Sequence, residues 1–469
     1  MISRRSFLSN GASGLAVASV AGAAPARPLA ADPGAGEAFL HDVQRRTFRF
    51  FWETTNPANG LAADRWPTKS FSSIAATGFA LTALAIGAQH GFVDRGRAAE
   101  RALATLRFFA EAPQGEAPVG MTGYRGFFYH FLDQTTGMRF GRTELSTIDT
   151  ALLLAGALAA KHYFDRPRER AIGELADRLV GRVDWSWAMP RRPLIAMGWH
   201  PEAGFIPRDW TAYNEAMLIY ILALGAARDP APPASWAGWL ATAPSAWRAA
   251  EGIPHLAFPP LFGHQYSHVW IDFRDIRDSF CRAHDIDYFE NSRRAVRAQH
   301  AYAIRNPMGW KGYGPLQWGL TACDGPADVT LGSGADRRQF RSYAARGPGE
   351  YDDGTLSPTA VGGSVPFAPG LCIATLEAMA RRHGSALYDG YGFADAFNPS
   401  FDDPNVPTRQ GRVIPGRGWY DRDRLGIDQG PILAMIENYR SGLVWKLMRD
   451  EPVIRRGLAR AGFTGGWLE

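Results

Sequence analysis

Three cysteines in 469 residues, Cys281, Cys323 and Cys372, are too few and too far apart for a disulfide framework or a zinc cluster. Long apolar runs are also missing, so no segment is suited to span a membrane. Basic residues are dispersed rather than clustered, which argues against a nucleic-acid partner. No Gly-x-Ser-x-Gly is present. The Gly-rich stretch GYGPLQWGLTACDGP follows no strand and ends in no Lys-Ser/Thr, so it makes a poor phosphate cradle. His264 and His268 have the i, i+4 spacing of metal ligands but lack the Glu of an HExxH pair. Neither a metal nor a cofactor is therefore expected. Convincing strand patterns are scarce as well.

What is present is a globular composition, 46% hydrophobic and 21% charged, with 15 Trp, 15 Tyr and 27 Phe. A chain of this length can bury a large core. The formal charge of +5 is inflated by the N-terminus. Residues 1–31 read as a twin-arginine export signal: Arg4-Arg5, then Phe7-Leu8, a weakly apolar Gly/Ala/Val run, and small residues suited to cleavage after Ala26 or Ala31. Removing them takes away Arg4, Arg5 and Arg27 and leaves 48 basic against 46 acidic residues, +2. A periplasmic or secreted protein is expected, monomeric and free of the membrane once the signal is removed.

Two kinds of helical segment alternate along the rest. One is apolar nearly all round and opens on a polar or acidic residue: SSIAATGFALTALAIG, STIDTALLLAGALAA, TAYNEAMLIYILALG and PFAPGLCIATLEAMA, with YSHVWIDFRDIRDSF and GIDQGPILAMIENY less regular. The other is amphipathic with a 3.6-residue period: AFLHDVQRRTFRFFWE, RAAERALATLRFFAEA, RERAIGELADRLVGRV and ENSRRAVRAQHAYAI. Ser146 and Thr211 read as N-caps. Buried helix followed by surface helix, repeated, predicts an all-α (α/α)6 toroid of six inner and six outer helices over residues 38–465. The outer partner expected between Ala380 and Gly426 has no visible pattern. The connecting segments are long and rich in Gly, Pro and Trp, and they precede inner helices. They should gather into a cleft at one end.

Acids stand where those segments meet the inner helices: Glu144 and Asp149, Glu215, Asp272 and Asp275, Asp428. Aromatics, among them Trp210, Tyr213, Trp318 and Trp419, crowd the same segments. Flat apolar faces beside carboxylates suit sugars. Glycoside hydrolysis needs one carboxylic acid that keeps its proton and a second carboxylate that activates water or attacks. Glu215 sits at the head of the apolar run MLIYILALG, where burial holds a proton on a carboxyl. The same residue could instead be a buried structural acid answered by Arg208 or Arg274. Asp149, in Ser-Thr-x-Asp, fits ordinary first-turn capping equally well.

The segments WHPEAGF, WTAYNEAMLIYILALG, FGHQYSHVWIDFRDIRD, DYFENSRRA, WGLTACDGP, DDGTLSPTAVGGSVPFAP and LGIDQGPILAMIENYRSGLVWKLM together resemble the glycoamylase-like domain family. The resemblance runs from about Phe39 to Gly462. Characterised members include the endo-β-1,2-glucanases of glycoside hydrolase family 144, and a domain of cyclic β-1,2-glucan synthases is related. The resemblance implies an (α/α)6 toroid, export, and hydrolysis of β-1,2-glucan with anomeric inversion. It places the general acid on Glu215 and leaves the base among Asp133, Glu144 and Asp149, acting directly or through a substrate hydroxyl. The older label "glucoamylase-like" is no argument for starch. On this reading the partner is an oligo- or polysaccharide. The subsites are expected from Trp210, Tyr213, His200, His264, Arg274, Trp318, Asp353, Trp419, Asp428 and Gln429. The alternatives are the same fold acting on another β-glucan, by exo-action or by glycosyl transfer, or a glycan-binding protein without catalysis.

Overall fold

The computed structural model describes residues 33–469. The proposed export signal lies outside the described residues. The first half of the chain supplies α1 (Pro33–Thr54), α2 (Ile74–Gln89), α3 (Arg95–Glu111), α4 (Thr147–Tyr163), α5 (Arg170–Gly181), α6 (Met217–Gly225), α7 (Ala234–Trp239) and α8 (Ala243–Ala246). The second half adds α9 (Tyr266–Trp270), α10 (Ser279–Ala283), α11 (Tyr288–Arg305), α12 (Pro358–Gly362), α13 (Pro369–His383), α14 (Gly426–Arg440), α15 (Leu443–Arg449) and α16 (Pro452–Arg460).

Six of these form the inner ring, in the order α2, α4, α6, α9, α12, α14: the Leu218 N–H donates to Ser267 Oγ between α6 and α9, Gln265 Nε2 to the Ala360 carbonyl between α9 and α12, and α14 closes back onto α2. They are apolar all round because every face meets another helix. All nine residues of α6 are buried, as are all but the last two of α2. The contact between α2 and α4 is the closest in the ring. A Cβ on Gly78 would stand 2.3 Å from the Leu152 carbonyl oxygen, and one on Gly156 1.9 Å from that of Gly78. Only glycine lets the two backbones approach so closely. Outside lie the amphipathic α1, α3, α5, α11 and α13, each burying one stripe. The (α/α)6 toroid is thus confirmed.

Two elements depart from the expected pattern. The segment from Pro366 is not an inner helix. As α13 it buries Cys372, Thr375, Leu376, Met379 and His383, one face only, and is the outer partner that had no visible pattern. The inner place belongs to α12, five residues of PTAVG. Around α6 no long outer helix forms among the described residues. Short α7 and α8 follow it, and α16 covers it closely, with Gly225 and Gly457 at the contact.

The six inner helices start at one end, and the connections there show why. Short strands cross-link their leads: Ser72–Ser73 pairs with Phe131–Leu132, Leu145–Ser146 lies between Phe128–Tyr129 and Gly198–Trp199, and Arg65–Trp66 pairs with Arg424–Leu425. Trp210 Nε1 donates to Thr147 Oγ1 at 2.9 Å, Ser267 Oγ to the Glu215 carbonyl at 2.8 Å, and Thr359 Oγ1 to the Asp428 carbonyl at 2.8 Å. With Gln265 Nε2 donating to the Ala360 carbonyl at 2.9 Å, those bonds tie the leads of α4, α6, α9, α12 and α14 into one rim. The strands are two to four residues long, too short for an alternating pattern to register. Among the described residues no helix is long and apolar enough to cross a membrane, and the three cysteines are free and buried.

Candidate active site

Ser146 caps α4 as expected. Its hydroxyl accepts from the Asp149 N–H at 3.1 Å and donates to the Asp149 carboxylate in a short bond. Thr211 does not cap α6: the helix begins at Met217, and Asn214 Oδ1 receives the Ala216 N–H at 3.0 Å instead. Ala212, just upstream, is held at φ +61°, a left-handed conformation that costs a residue with a Cβ about 1 kcal/mol. Its N–H bonds to the Trp239 carbonyl at 2.9 Å. A strained turn fixed from below therefore delivers Glu215 to the rim two residues before the helix.

Glu144, Asp149 and Glu215 are 7%, 3% and 8% exposed. Glu144 and Asp149 meet at His130. The imidazole Nδ1 lies 3.1 Å from Glu144 Oε1 and Nε2 lies 3.5 Å from Asp149 Oδ1, while its ring stacks on Phe131 at 3.8 Å. The backbone joins in, since the His130 N–H donates to the Glu144 carbonyl at 2.9 Å. A histidine clasped between two carboxylates can hold or pass one proton between them, and it fixes their orientation. His130, within FFYHFLD, carried no sequence signal because nothing in its spacing relates it to Glu144 or Asp149.

His200 stands on the neighbouring strand Gly198–His200, 3.5 Å from Arg139 Nη2. Burial lowers its pKa, and the Arg139 charge lowers it further, against an opposing effect of Glu144. Arg139 itself is fixed by a bidentate pair with Glu202 at 2.7 and 3.1 Å and lies over the Tyr129 ring. Asp133 is engaged in its own turn. Its Oδ1 accepts the Thr135 and Thr136 N–H groups and the Thr136 hydroxyl, and these bonds hold its pKa low, as in a turn cap.

The other expected binding residues divide. Asp428 and Gln429 sit in the first turn of α14, at the rim, and Gln429 Nε2 donates to the Phe393 carbonyl at 3.0 Å. Trp210, Tyr213, His264, Trp318 and Trp419 are at most 1% exposed. Trp318 and Trp419 direct their polar atoms to protein partners, Thr375 Oγ1 and the Gln410 carbonyl. Tyr213 stacks on Tyr288, and burial pushes its phenol well up. These rings form the wall beneath the rim rather than faces open to a sugar. Asp353 is fully buried in a bidentate pair with Arg346 at 2.7 and 2.9 Å, which organises the loop between Ala322 and Leu356.

Arg274, with Asp272 and Asp275, requires a correction. Helix α9 ends at Trp270, so these residues lie past its C-terminus at the end opposite the rim. Arg274 binds Asp272 there through two nitrogens at 2.7 Å and lies 4.3 Å over the Trp445 ring, with Arg449 also on Asp272. It neither lines a subsite nor neutralises Glu215. His264 and His268 do not converge on a ligand either: their Nε2 atoms meet the Phe258 carbonyl and Ser292 Oγ, each at 3.1 Å.

Fold and site together define a class: a six-hairpin helical toroid whose rim collects buried carboxylates at the heads of its inner helices. Within that class the chain belongs to the Glycoamylase family, whose model, described as "Putative glucoamylase", matches residues 207–452, just over half of the chain. A structure from Bacteroides uniformis carrying the same description is 31% identical, with a TM-score of 0.80 over 95% of this chain and 100% of that one. The endo-β-1,2-glucanase of Chitinophaga pinensis, solved with sophorotriose and glucose, is 28% identical with a TM-score of 0.78, covering 92% and 99%. The exo β-1,2-glucooligosaccharide sophorohydrolase (non-reducing end) of Parabacteroides distasonis is 28% identical over 466 residues. That match takes in 91% of this chain, which spans 58% of the relative's length.

Proposed function

We propose that the chain is a glycoside hydrolase cleaving β-1,2-linked glucans, with Glu215 as general acid and Glu144 or Asp149 as the base. Glu215 gives its proton to the glycosidic oxygen, the bond from that oxygen to the anomeric carbon breaks, and the leaving sugar departs as an alcohol. Water loses a proton to the base, directly or through a substrate hydroxyl, and adds from the opposite face to give the inverted hemiacetal. The observation that carries this reading is the pair of carboxylates on His130 at the head of α4, on the same rim as Glu215. The relatives named for β-1,2-glucan hydrolysis support the linkage.

Incubation with linear β-1,2-glucan, followed by separation of the products, tests it. A ladder of oligosaccharides means endo-action, and disaccharide alone means exo-action. Binding without any product after long incubation would sink the catalytic reading and leave a glycan-binding protein. Export as a monomer belongs to the same proposal. It is checked by cell fractionation of the tagged full chain with an Arg4→Lys/Arg5→Lys control, and by light scattering of the mature protein.

A further inference from the structure

Asp324, Asp395 and Asp421 come from three separate segments yet place one carboxylate oxygen each within 4.8 Å of the others, all three side chains buried. Their backbones lock the arrangement. The Asp324 N–H donates to Asp395 Oδ2 at 2.7 Å, the Asp421 N–H to the Ala396 carbonyl at 3.0 Å, and the Asp423 N–H to Asp421 Oδ1 at 3.1 Å. What remains is unanswered. Asp395 Oδ1 and Asp421 Oδ2 have no hydrogen-bond partner, although both residues are only 2% exposed. Burying an ionised carboxylate without a partner costs several kcal/mol.

The cation that meets the group is Arg65, 2.7 Å from Asp324, 3.3 Å from Asp64 and 3.7 Å from Asp423. One guanidinium faces three contacting aspartates already, and neither Asp395 nor Asp421 touches it. Burial, joined by the charges of the surrounding aspartates, drives both of these carboxyls well above the usual range. The group therefore demands positive charge, supplied either by protons or by a metal ion.

We propose that Asp324, Asp395 and Asp421 bind a divalent cation of calcium's size. An all-oxygen donor set selects a hard cation, and two oxygens on opposite sides of a calcium ion stand roughly 4.8 Å apart, against about 4.2 Å for magnesium. Oxygens within 4.8 Å of one another can share one ion of either kind, and a buried all-carboxylate site favours calcium because magnesium gives up its waters reluctantly. Such an ion ties the strand Ala322–Asp324, the segment after Phe393 and the lead into α14 into one unit. It lies within electrostatic reach of Asp428 through Asp395, so it stiffens the rim beside the proposed catalytic groups. This assignment departs from the sequence-based expectation of no metal, and it does not depend on the proposed substrate.

The test uses the mature protein stripped with EDTA and then dialysed free of chelator. Calorimetric titration with CaCl2 should show one site per chain, and 1 mM CaCl2 should raise Tm by about 5 °C, with a smaller rise from MgCl2. Asp395→Asn and Asp421→Asn should each abolish the calcium-dependent rise. Elemental analysis of the protein as purified gives a readout that needs no variant and should find close to one equivalent of calcium. If the stripped protein binds no cation at millimolar concentration and its Tm does not move, the proposal is overturned and protons hold the cluster. It is overturned equally if both Asn variants fold and still respond to calcium like the wild type.

Discussion

The two ends of the inner ring use the same acidic residues to opposite purpose. At the far end, where the helices finish, three buried acids meet bases. Asp272 has Arg274 and Arg449, Glu437 has His90 at 2.6 Å with Gln44 and Ser441, and Glu451 has Lys161 and His162 at 3.1 and 2.7 Å. Burial pushes each of these carboxyls up, but the hydrogen bonds and charges of the partners prevail and hold it below its ordinary value. At the rim, Glu144 and Asp149 share one histidine, and Asp395 and Asp421, which Arg65 does not touch, are raised by burial and by the charges of neighbouring aspartates. One end spends its charge on stability. The other gathers buried carboxylates around shared partners, and at Asp395 and Asp421 burial favours the protonated form.

The largest expected effect lies at the rim. Glu215→Gln removes the transferable proton while keeping shape, and kcat on β-1,2-glucan should fall about 10³-fold with Tm nearly unchanged, in line with the usual worth of a general acid. Steady-state rates beside thermal denaturation check both halves. Activity within tenfold of wild type would take the acid role from Glu215. Next comes His130→Gln, which keeps one hydrogen bond to the carboxylates but cannot hold a proton between them. A loss of about 30-fold in kcat with KM little altered and a displaced pH optimum is expected. An unchanged pH profile would reduce His130 to packing.

At the far end the expected signature is reversed. Asp272→Asn leaves Arg274 and Arg449 without their acid beside the half-buried Trp467 and the buried Trp445. Breaking a buried pair costs about 3–5 kcal/mol, and since both arginines are more than a third exposed the loss should be about 2 kcal/mol. Urea unfolding measures it, and kcat well below Tm should stay within twofold. A variant that loses activity but not stability would erase the distinction between the two ends.

Legibility from sequence followed length and locality. Helices α2, α4 and α6 announce themselves because nine or more consecutive buried positions leave no polar face. The five residues of α12, PTAVG, are too few to show a period, so the more apolar-looking α13 took its place even though Glu377 and Arg381 lie on its outer face. The same cause displaced Arg274: with α9 only five residues long, Asp272 lies beyond its end rather than at its head. Glu144, Asp149 and Glu215 were visible because each sits beside a helix start. His130 and the Asp324, Asp395 and Asp421 group were not, because only tertiary folding brings those residues together.

The smallest effect is a pH dependence that carries the comparison into one curve, measured as Tm in the cation-free protein. At the far end, Asp272, Glu437 and Glu451 have lowered pKa values, so the unfolded chain takes up protons first on acidification. The stability they contribute is full above the ordinary carboxylate pKa of about 4 and is lost as pH falls below it. At the rim the sign is opposite. Asp395 and Asp421 are raised, so above the ordinary value the folded state holds protons that the unfolded state has released, and stability falls as pH climbs through their folded values. Buried His268, pushed down to about 3 by desolvation, adds a loss on acidification from about 6.5 downward that is common to all variants. Subtracting the curve of Asp395→Asn from that of wild type isolates the rim. The variant should match wild type near pH 4 and exceed it increasingly toward pH 8, by a few degrees. Adding calcium should close that gap by stabilising wild type alone, whereas parallel curves would mean that Asp395 lies in ordinary surroundings and that the two ends of the ring do not differ in the way their acids suggest.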